Sequence, residues 1–88
     1  MRLDKYLKVS RIIKRRAVAK DLADDNRVLV NEKLAKPAAE IKVGDRIEIR
    51  FEHRHILLEV VFLADRIMKD NPPMYELISD KRVEKEQI

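Results

Sequence analysis

Basic side chains are concentrated at the start of the chain. The first twenty residues contain eight lysines and arginines against one acid, Asp4, which is a net charge of +7, whereas all 88 residues together carry +4. Residues 21–88 therefore sum to −3. Charge segregated in this way attracts polyanions, because guanidinium and ammonium groups pair with phosphate oxygens. The eight residues are Arg2, Lys5, Lys8, Arg11, Lys14, Arg15, Arg16 and Lys20.

An ordinary solvated helix face is the alternative interpretation of these residues. A few basic residues on a helix usually have no ligand and simply face water. Eight of them against a single acid, gathered around one junction between two predicted helices, favour a polyanion site. Nucleic acid is the commonest polyanion that such surfaces bind.

The bulk composition excludes several other classes of protein. A chain of 88 residues is one small domain that buries a modest core, so a deep catalytic cleft with its own cofactor is hard to accommodate. No cysteine is present for a disulfide or a thiolate zinc site. The apolar runs are too short to cross a bilayer, and the N-terminus lacks the apolar stretch of a signal peptide. We therefore expect a soluble cytoplasmic protein with no cofactor and no membrane partner.

Two short helices must position the basic residues. The first is predicted from Asp4 to Val9, with Leu3, Tyr6 and Leu7 on its buried side, and Ser10 and Arg11 end it. The second is predicted from Arg15 or Arg16 to Ala23. Its buried stripe would be Val18 and Leu22, with Arg16 and Lys20 opposite, and Asn26 would be the left-handed residue after its end.

The start of the second helix is a natural place for an anion. Lys14, Arg15 and Arg16 stand where the helix dipole is positive, so their charges oppose the dipole by a few tenths of a kcal/mol. A phosphate bound at this point would relieve that conflict and would also meet the unpaired N–H groups of the first turn.

From Arg27 onward the pattern changes to that of strands. Val28–Val30 alternates and is followed by a tight turn at residues 31–33. Gly44 marks a turn that needs positive φ, and Arg46–Phe51 alternates strictly. Ile56–Leu63 is predicted as the hairpin partner of that strand. The predicted fold class is α+β, with two short N-terminal helices packed on a small, mostly antiparallel sheet.

The C-terminal quarter is less regular. Residues 69–73 contain Pro72 and Pro73 and are typical of a linker. Residues 74–79 would form a short closing strand or a helical turn, and the charged residues 80–88 are expected to be loose. The predicted division is one domain with a C-terminal strand extension at 1–64, then a linker and short tail at 65–88.

Residues 2–50 resemble the S4-type RNA-binding domain. The resemblance rests on the opening Arg-Leu-Asp-Lys, the basic junction before the second helix, the Val-Leu-Val-Asn strand end and the Gly-Asp-Arg-Ile turn and strand. Among stand-alone bacterial members, the chain is similar to the heat-shock-15-like and ribosome-associated quality-control families, and closer to the latter. It departs from them at Arg15, where a Ser or Thr cap is common, at the Asn31-Glu32 turn, which is usually Asn-Gly, and after the second helix, where glycine is usual.

The resemblance implies a non-catalytic protein that binds structured RNA. For the quality-control family it implies binding to the large (50S) ribosomal subunit with obstructed peptidyl-tRNA and contact with 23S rRNA and P-site tRNA. A partner tailing factor on the same particle then adds C-terminal alanines, and the protein is expected to be a monomer. The RNA-facing positions match Arg2, Arg11, Lys14 and Arg16, with Lys5, Arg15 and Lys20 beside them, while Asp4 orients a neighbouring basic side chain.

Several alternatives stay open. The chain resembles modules that guide RNA-modifying enzymes, and a heat-shock-type factor that recycles the large subunit is the other family reading. Tyr6 and Tyr75 are candidates for stacking on bases, although Tyr6 fits better in the core beside Leu3. His53 and His55 are spaced to share a strand face, but two histidines without thiolates are more often solvent-exposed than metal-binding.

Overall fold

The helices cover one face of an antiparallel sheet, and the computed structural model describes residues 1–65 and 70–83. Within these ranges the strand order is β2-β1-β3-β4-β5, with every neighbouring pair antiparallel. The predicted α+β class is confirmed. The elements are α1 (Leu3–Val9), α2 (Arg16–Asp24), β1 (Val28–Val30), β2 (Lys33–Leu34), β3 (Arg46–Phe51), β4 (Arg54–Val60) and β5 (Tyr75–Arg82).

Helix α1 buries the side that its spacing predicts. Leu3, Tyr6 and Leu7 are fully buried in the core. Ser10 caps the C-terminal end, and its hydroxyl donates to the Leu7 carbonyl at 3.3 Å. Arg11 follows with φ +66°, so the chain leaves the helix in a left-handed turn. The predicted end of the helix at Ser10 and Arg11 is confirmed.

Helix α2 turns a different face to the core from the predicted one. Ala19 and Ala23 are fully buried, whereas Val18 is 44% exposed and Leu22 is only partly buried. The predicted Val18–Leu22 stripe is therefore wrong at Val18. Alanine methyl groups let two helices approach more closely than larger side chains do, and α2 packs directly against α1.

The end of α2 is closed as predicted by a left-handed asparagine. Asn26 has φ +61°, and its N–H donates to the Ala23 carbonyl at 3.1 Å. The Arg27 N–H donates to the Leu22 carbonyl at 3.0 Å, which completes a Schellman motif. Asparagine thus takes the place that glycine usually occupies.

The hairpin between β1 and β2 has an unusual residue in its turn. Asn31 and Glu32 have φ of +50° and +71°, which is the type I′ geometry. The Asn31 amide is well used, since it donates to Asp45 Oδ1 at 3.1 Å and accepts from the Arg46 N–H at 3.0 Å. Glu32 is exposed and makes no such bonds with the described residues, so it contributes only the strain of a left-handed side chain.

We expect Glu32→Gly to raise the free energy of unfolding by about 0.5 kcal/mol. Relief of left-handed strain is worth about 1–2 kcal/mol, and the added entropy of an unfolded glycine removes about 0.5–1 of it. Urea unfolding measures the change. Gly44→Ala is the opposite control: Gly44 has φ +96° with open space around an added Cβ, so alanine there costs backbone strain alone. A destabilised Glu32→Gly protein would contradict the account.

Strand β3 has the predicted bounds, and β4 does not. Ile47 and Ile49 are fully buried on the helix side of β3, as the alternation predicts. The register pairs Phe51 with Arg54, so only two residues form the turn to β4. The predicted strand Ile56–Leu63 is therefore wrong at both ends. Pairing with β3 extends β4 back to Arg54, and the chain leaves the sheet after Val60.

Strand β5 forms the edge of the sheet and closes the core beneath α1. It pairs with the whole of β4, and the Tyr6 hydroxyl donates to the buried Met74 carbonyl just before it, at 2.9 Å. Of the two predicted forms for residues 74–79, the strand is observed. The expectation of a loose segment is wrong for Asp80–Arg82, because these residues pair with β4 and Asp80 forms an ion pair with Arg54.

The end of the chain and part of the predicted linker cannot be compared in the same way. Lys69 and residues 84–88 lie outside the described residues. The division of the chain at residue 64 stays a prediction. In the described ranges, none of the helices has the length and apolar character needed to cross a membrane.

Candidate nucleic-acid interface

Two arginines share the carboxylate of Asp4, in the first turn of α1. Arg2 donates from Nε and Nη2 to the two carboxylate oxygens, at 3.2 Å each. Arg16, the first residue of α2, donates from Nη2 to Oδ1 at 3.3 Å. Asp4 is 3% exposed, whereas the side chains of Arg2 and Arg16 are 50% and 48% exposed. The buried carboxylate therefore joins the two helices and holds two guanidinium groups at the surface.

This arrangement leaves both arginines able to bind a further anion. A guanidinium has five N–H donors. Arg2 uses two on Asp4 and Arg16 uses one, and no other described residue accepts from either group, so most of their donors face solvent or a ligand. At neutral pH the three side chains carry a net charge of +1. The prediction that Asp4 orients a neighbouring basic side chain agrees with these contacts, which reach two arginines.

Opposing effects act on the pKa of Asp4. Burial by itself would raise it, but the hydrogen bonds from Arg2, from Arg16 and from the Lys5 N–H outweigh burial, so the pKa of this carboxyl lies below its usual value of 3.8. The carboxylate thus stays ionised throughout the physiological range and remains a partner for both arginines.

The lowered pKa predicts a specific loss of stability in acid. A carboxyl whose pKa is lower in the folded than in the unfolded state stabilises the fold fully above the unfolded value, and this contribution is lost as pH falls through the folded value. We expect the unfolding temperature to change little from pH 7 to about 5 and to fall below about 4. Below about pH 4, the unfolding temperature of the Asp4→Asn protein should fall less than that of the wild type. Parallel curves for the two proteins would contradict the assignment.

The start of α2 has no side-chain cap. Arg15 occupies the N-cap position in an extended conformation, with φ −121° and ψ 129°, and its side chain makes no capping bond. The first turn contains no acid. The first helical bond runs from the Ala19 N–H to the Arg15 carbonyl at 3.2 Å, so the preceding N–H groups of the helix lie outside the helical pattern. Positive charge therefore lies beside N–H donors that have no acceptor among the described residues.

A segment far along the chain braces Arg2. The Leu3 and Asp4 N–H groups donate to the Ala39 and Pro37 carbonyls at 2.8 and 3.1 Å. Arg2 itself forms an isolated antiparallel bridge with Glu40. Residues 37–40 were not among the predicted site residues. Their only signal in the sequence was Pro37, which marks an extended segment but does not say what it pairs with.

The other predicted site residues divide into groups. Lys5 lies on α1 with its ammonium 3.2 Å from the exposed Asp65, a solvent-screened pair of little strength. Lys20 is exposed one helical turn beyond Arg16. Arg11 borders a groove formed with residues 71–75. Lys14 and Arg15 are exposed at the helix junction, and they make no ion pair with any described residue.

The structure decides between two uses of the tyrosines. Tyr6 is fully buried and its hydroxyl is bonded to Met74, so stacking of a base on this ring is excluded. Burial also raises the pKa of Tyr6, which keeps the phenol protonated. Tyr75 is half-buried and stays a candidate. Among the described residues, no group of three or more histidine and carboxylate side chains is placed to hold a metal ion.

Comparisons with known proteins identify the family of this chain. The model of the S4 domain family matches residues 1–47, which span both helices, the first hairpin and the start of β3. A Streptococcus pneumoniae protein named RQC P-site tRNA stabilizing factor is 54% identical, over 96% of this chain and 97% of that protein. The chain belongs to the S4 domain family of RQC P-site tRNA stabilizing factors. A Bacillus subtilis member of the same name is 39% identical over 94% of this chain and 98% of its own length.

A solved structure extends the likeness beyond the S4 domain. The trimeric structure of Heat Shock Protein 15 from Vibrio cholerae superposes with a TM-score of 0.79 and 25% sequence identity. The match covers 90% of this chain and 82% of that one, so it includes strands after residue 47. The resemblance predicted from the opening motif and the Gly44 turn is thereby confirmed for the family and for the fold.

Proposed function

We propose that this S4-domain protein binds the large ribosomal subunit that carries obstructed peptidyl-tRNA, and contacts both 23S rRNA and the P-site tRNA. It would stabilise the tRNA while a partner factor on the same particle adds C-terminal alanines. The proposed RNA-binding residues are Arg2, Lys5, Arg11, Lys14, Arg15, Arg16 and Lys20. In this account the protein acts in the bacterial cytoplasm as a monomer, by binding alone and without chemistry.

The observation that carries the proposal is the sharing of Asp4 by Arg2 and Arg16. Phosphate contacts fix a protein on RNA, and they are strongest when a guanidinium is already oriented. Here a buried carboxylate orients two of them next to the uncapped start of α2. An RNA phosphate at this point would accept from both guanidiniums and from helix N–H groups.

The relatives support the choice of RNA. Their name specifies a P-site tRNA, and this chain aligns with them over nearly its whole length. Contact with tRNA and rRNA is therefore proposed for the basic surface of this chain. The bases are not expected to be read individually, because the surface offers cations and backbone donors suited to phosphate.

We expect the affinity for tRNA-loaded large subunits to fall steeply with salt. Each neutralised phosphate releases counterions, and a surface of this size would neutralise roughly 3–6 of them, so a log–log plot of affinity against salt should have a corresponding slope. Sedimentation of labelled protein with subunits over a series of salt concentrations measures it. A flat titration would contradict binding through this basic surface.

Recycling of the large subunit is a second candidate function. It is favoured by the likeness to Heat Shock Protein 15, which includes the C-terminal strands as well as the S4 domain. The two functions differ in what they leave on the particle. A stabilizing factor retains peptidyl-tRNA on the subunit, whereas a recycling factor would accompany its loss, so tRNA recovered with the protein distinguishes them.

Service to an RNA-modifying enzyme is the remaining alternative. If the protein itself supplied such an activity, incubation with rRNA or tRNA would yield a changed nucleoside. We expect none, since the described part of the chain presents basic side chains and a buried carboxylate already bound to two arginines.

Sedimentation equilibrium of the free protein tests the proposed monomer.

A further inference from the structure

We propose that the groove between the end of α1 and the start of β5 receives a single unpaired RNA nucleotide. The base would lie against Tyr75 and the adjacent prolines, and Arg11 would bind its phosphate. This inference rests on the proposed function, since it assumes that the basic helix junction binds RNA. It adds a second kind of contact, to a base face, beside the phosphate contacts of Arg2 and Arg16.

The groove has the size and lining that such a ligand needs. It has a volume of about 520 Å³ and is lined by Ser10, Arg11 and residues 71–75. Small-molecule sites have volumes of roughly 300–1,000 Å³. Pro72 and Pro73 supply apolar walls without N–H donors, and Tyr75 supplies the aromatic ring. The flat face of a nucleobase suits these walls better than a charged group would.

The backbone on both sides of the groove is held firmly. The Met74 carbonyl accepts from the Tyr6 hydroxyl at 2.9 Å and from the Val61 N–H at 3.0 Å, and the Met74 side chain is buried. Tyr75 is paired with Val60 as the first residue of β5. On the opposite side the Arg11 N–H donates to the Lys8 carbonyl at 3.1 Å. The ring and the cation are therefore presented by fixed elements.

The position of the groove and its aromatic lining, together with its charge, favour a nucleotide over an acidic peptide. Arg11 is exposed and forms no ion pair with any described residue. Arg11 follows the C-terminal end of α1 and Asp4 lies in its first turn, so one helix of seven residues, about 10 Å long, separates the groove from the Asp4 arginines, a span that an RNA strand can cover. Unstacked bases are characteristically held on aromatic side chains with the phosphate on a nearby cation. The occupant is thus expected to be a splayed nucleotide of the bound RNA.

Two RNA hairpins that differ by one nucleotide provide the test. One is fully paired in its stem, and the other has a single extruded uridine in the same stem. Tyr75→Leu should weaken binding of the second RNA about five- to tenfold, which is the low end of the measured effects of base–aromatic stacking, and leave the first within twofold. Tyr75→Phe retains the ring and should bind both RNAs like the wild type.

A second variant guards against a folding defect at Tyr75, which packs partly against the core. Asparagine tolerates the left-handed backbone at position 11. Arg11→Asn should therefore also weaken binding of the hairpin with the extruded uridine more than binding of the fully paired hairpin. Equal losses on both RNAs, or no loss, would overturn the inference. So would ultraviolet cross-links from a 4-thiouridine at the extruded position that avoid the peptide containing Tyr75.

A double variant of the Asp4 arginines tests the proposed function independently of the groove. Arg2→Gln with Arg16→Gln should weaken both hairpins, because those residues contact phosphate in either RNA. If this double variant binds both hairpins normally, the proposed function fails and the inference fails with it. If it weakens both while Tyr75→Leu changes neither, the proposed function stands and only the groove inference is overturned.

Discussion

Replacement of Arg16 with glutamine is expected to weaken binding to large subunits carrying peptidyl-tRNA at least about tenfold. A charge-assisted hydrogen bond is worth about 1.5–3 kcal/mol, and each 1.4 kcal/mol is a factor of ten in affinity. The fold should change little, because Asp4 keeps its two bonds from Arg2 and its bond from the Lys5 N–H. Sedimentation binding and thermal unfolding measure the two quantities on the same preparation.

Arg82→Gln is a matched control for that experiment. Arg82 is also an exposed arginine, it forms no ion pair with the described residues, and it ends β5. At about 3.3 Å per strand residue it lies more than about 20 Å along the strand from Tyr75, at the far end of the sheet. Arg82→Gln removes the same charge as Arg16→Gln but at the far end of the sheet, so the affinity for large subunits should stay within twofold of the wild type. Equal losses for both variants would mean that net charge, and not the helix junction, controls binding.

Asp4→Asn is expected to weaken RNA binding although it makes the protein more positive. Without the carboxylate, Arg2 and Arg16 lose their shared partner and repel each other, so their guanidinium groups are no longer held in place. We expect a severalfold loss of affinity and a loss of about 1–3 kcal/mol in the free energy of unfolding, since a buried bonded group is removed. Urea unfolding and RNA titration measure these effects. Tighter binding by the variant would show that Asp4 only reduces the local charge.

The same substitution at Asp65 separates positioning from charge. Asp65 is exposed and contacts only the ammonium of Lys5 among the described residues. An exposed pair of this kind contributes about 0–1 kcal/mol. Asp65→Asn adds the same charge as Asp4→Asn, so its RNA affinity should be unchanged or slightly higher, with stability nearly constant. The distinctive expectation is that Asp4→Asn weakens RNA binding severalfold whereas Asp65→Asn, with the same change of charge, does not weaken it.

Local signals explain why much of the fold could be predicted. The alternation of Arg46–Phe51, the left-handed Asn26 and the glycine at position 44 are each fixed by neighbouring residues, and each appears where expected. The buried face of α2 could not be predicted from local signals. Val18 and Leu22 are the larger and more hydrophobic pair and were predicted as its core stripe. The small Ala19 and Ala23 are buried instead, which lets α2 pack closely.

Strand β5 and the ends of β4 depend on partners remote in sequence. Asp80–Arg82 are charged and carry no strand pattern, and they are extended because β4 offers a paired edge and Arg54 offers a salt bridge. Propensity alone could not reveal either contact. Strand boundaries in this part of the chain follow from pairing, which a single sequence does not display.

The candidate site likewise combines features that local sequence predicts with features that depend on remote contacts. The types and clustering of the basic residues were visible in the sequence, as was the role of Asp4 as a partner for a neighbour. That Asp4 joins Arg2 to Arg16, twelve residues further on, follows only from how α1 packs on α2. The Arg11 groove depends on residues 71–75 coming back beneath α1, through a bond between residues 68 positions apart.

The most direct test compares large subunits with and without P-site peptidyl-tRNA, using the wild type and the Arg2→Gln, Arg16→Gln protein. The account predicts that the wild type co-sediments preferentially with the tRNA-loaded particles and brings tRNA with it, and that the double variant stays in the supernatant while remaining folded. Equal recovery of the folded double variant on the loaded particles would contradict the central claim, which is that the guanidinium groups held by Asp4 bind the RNA.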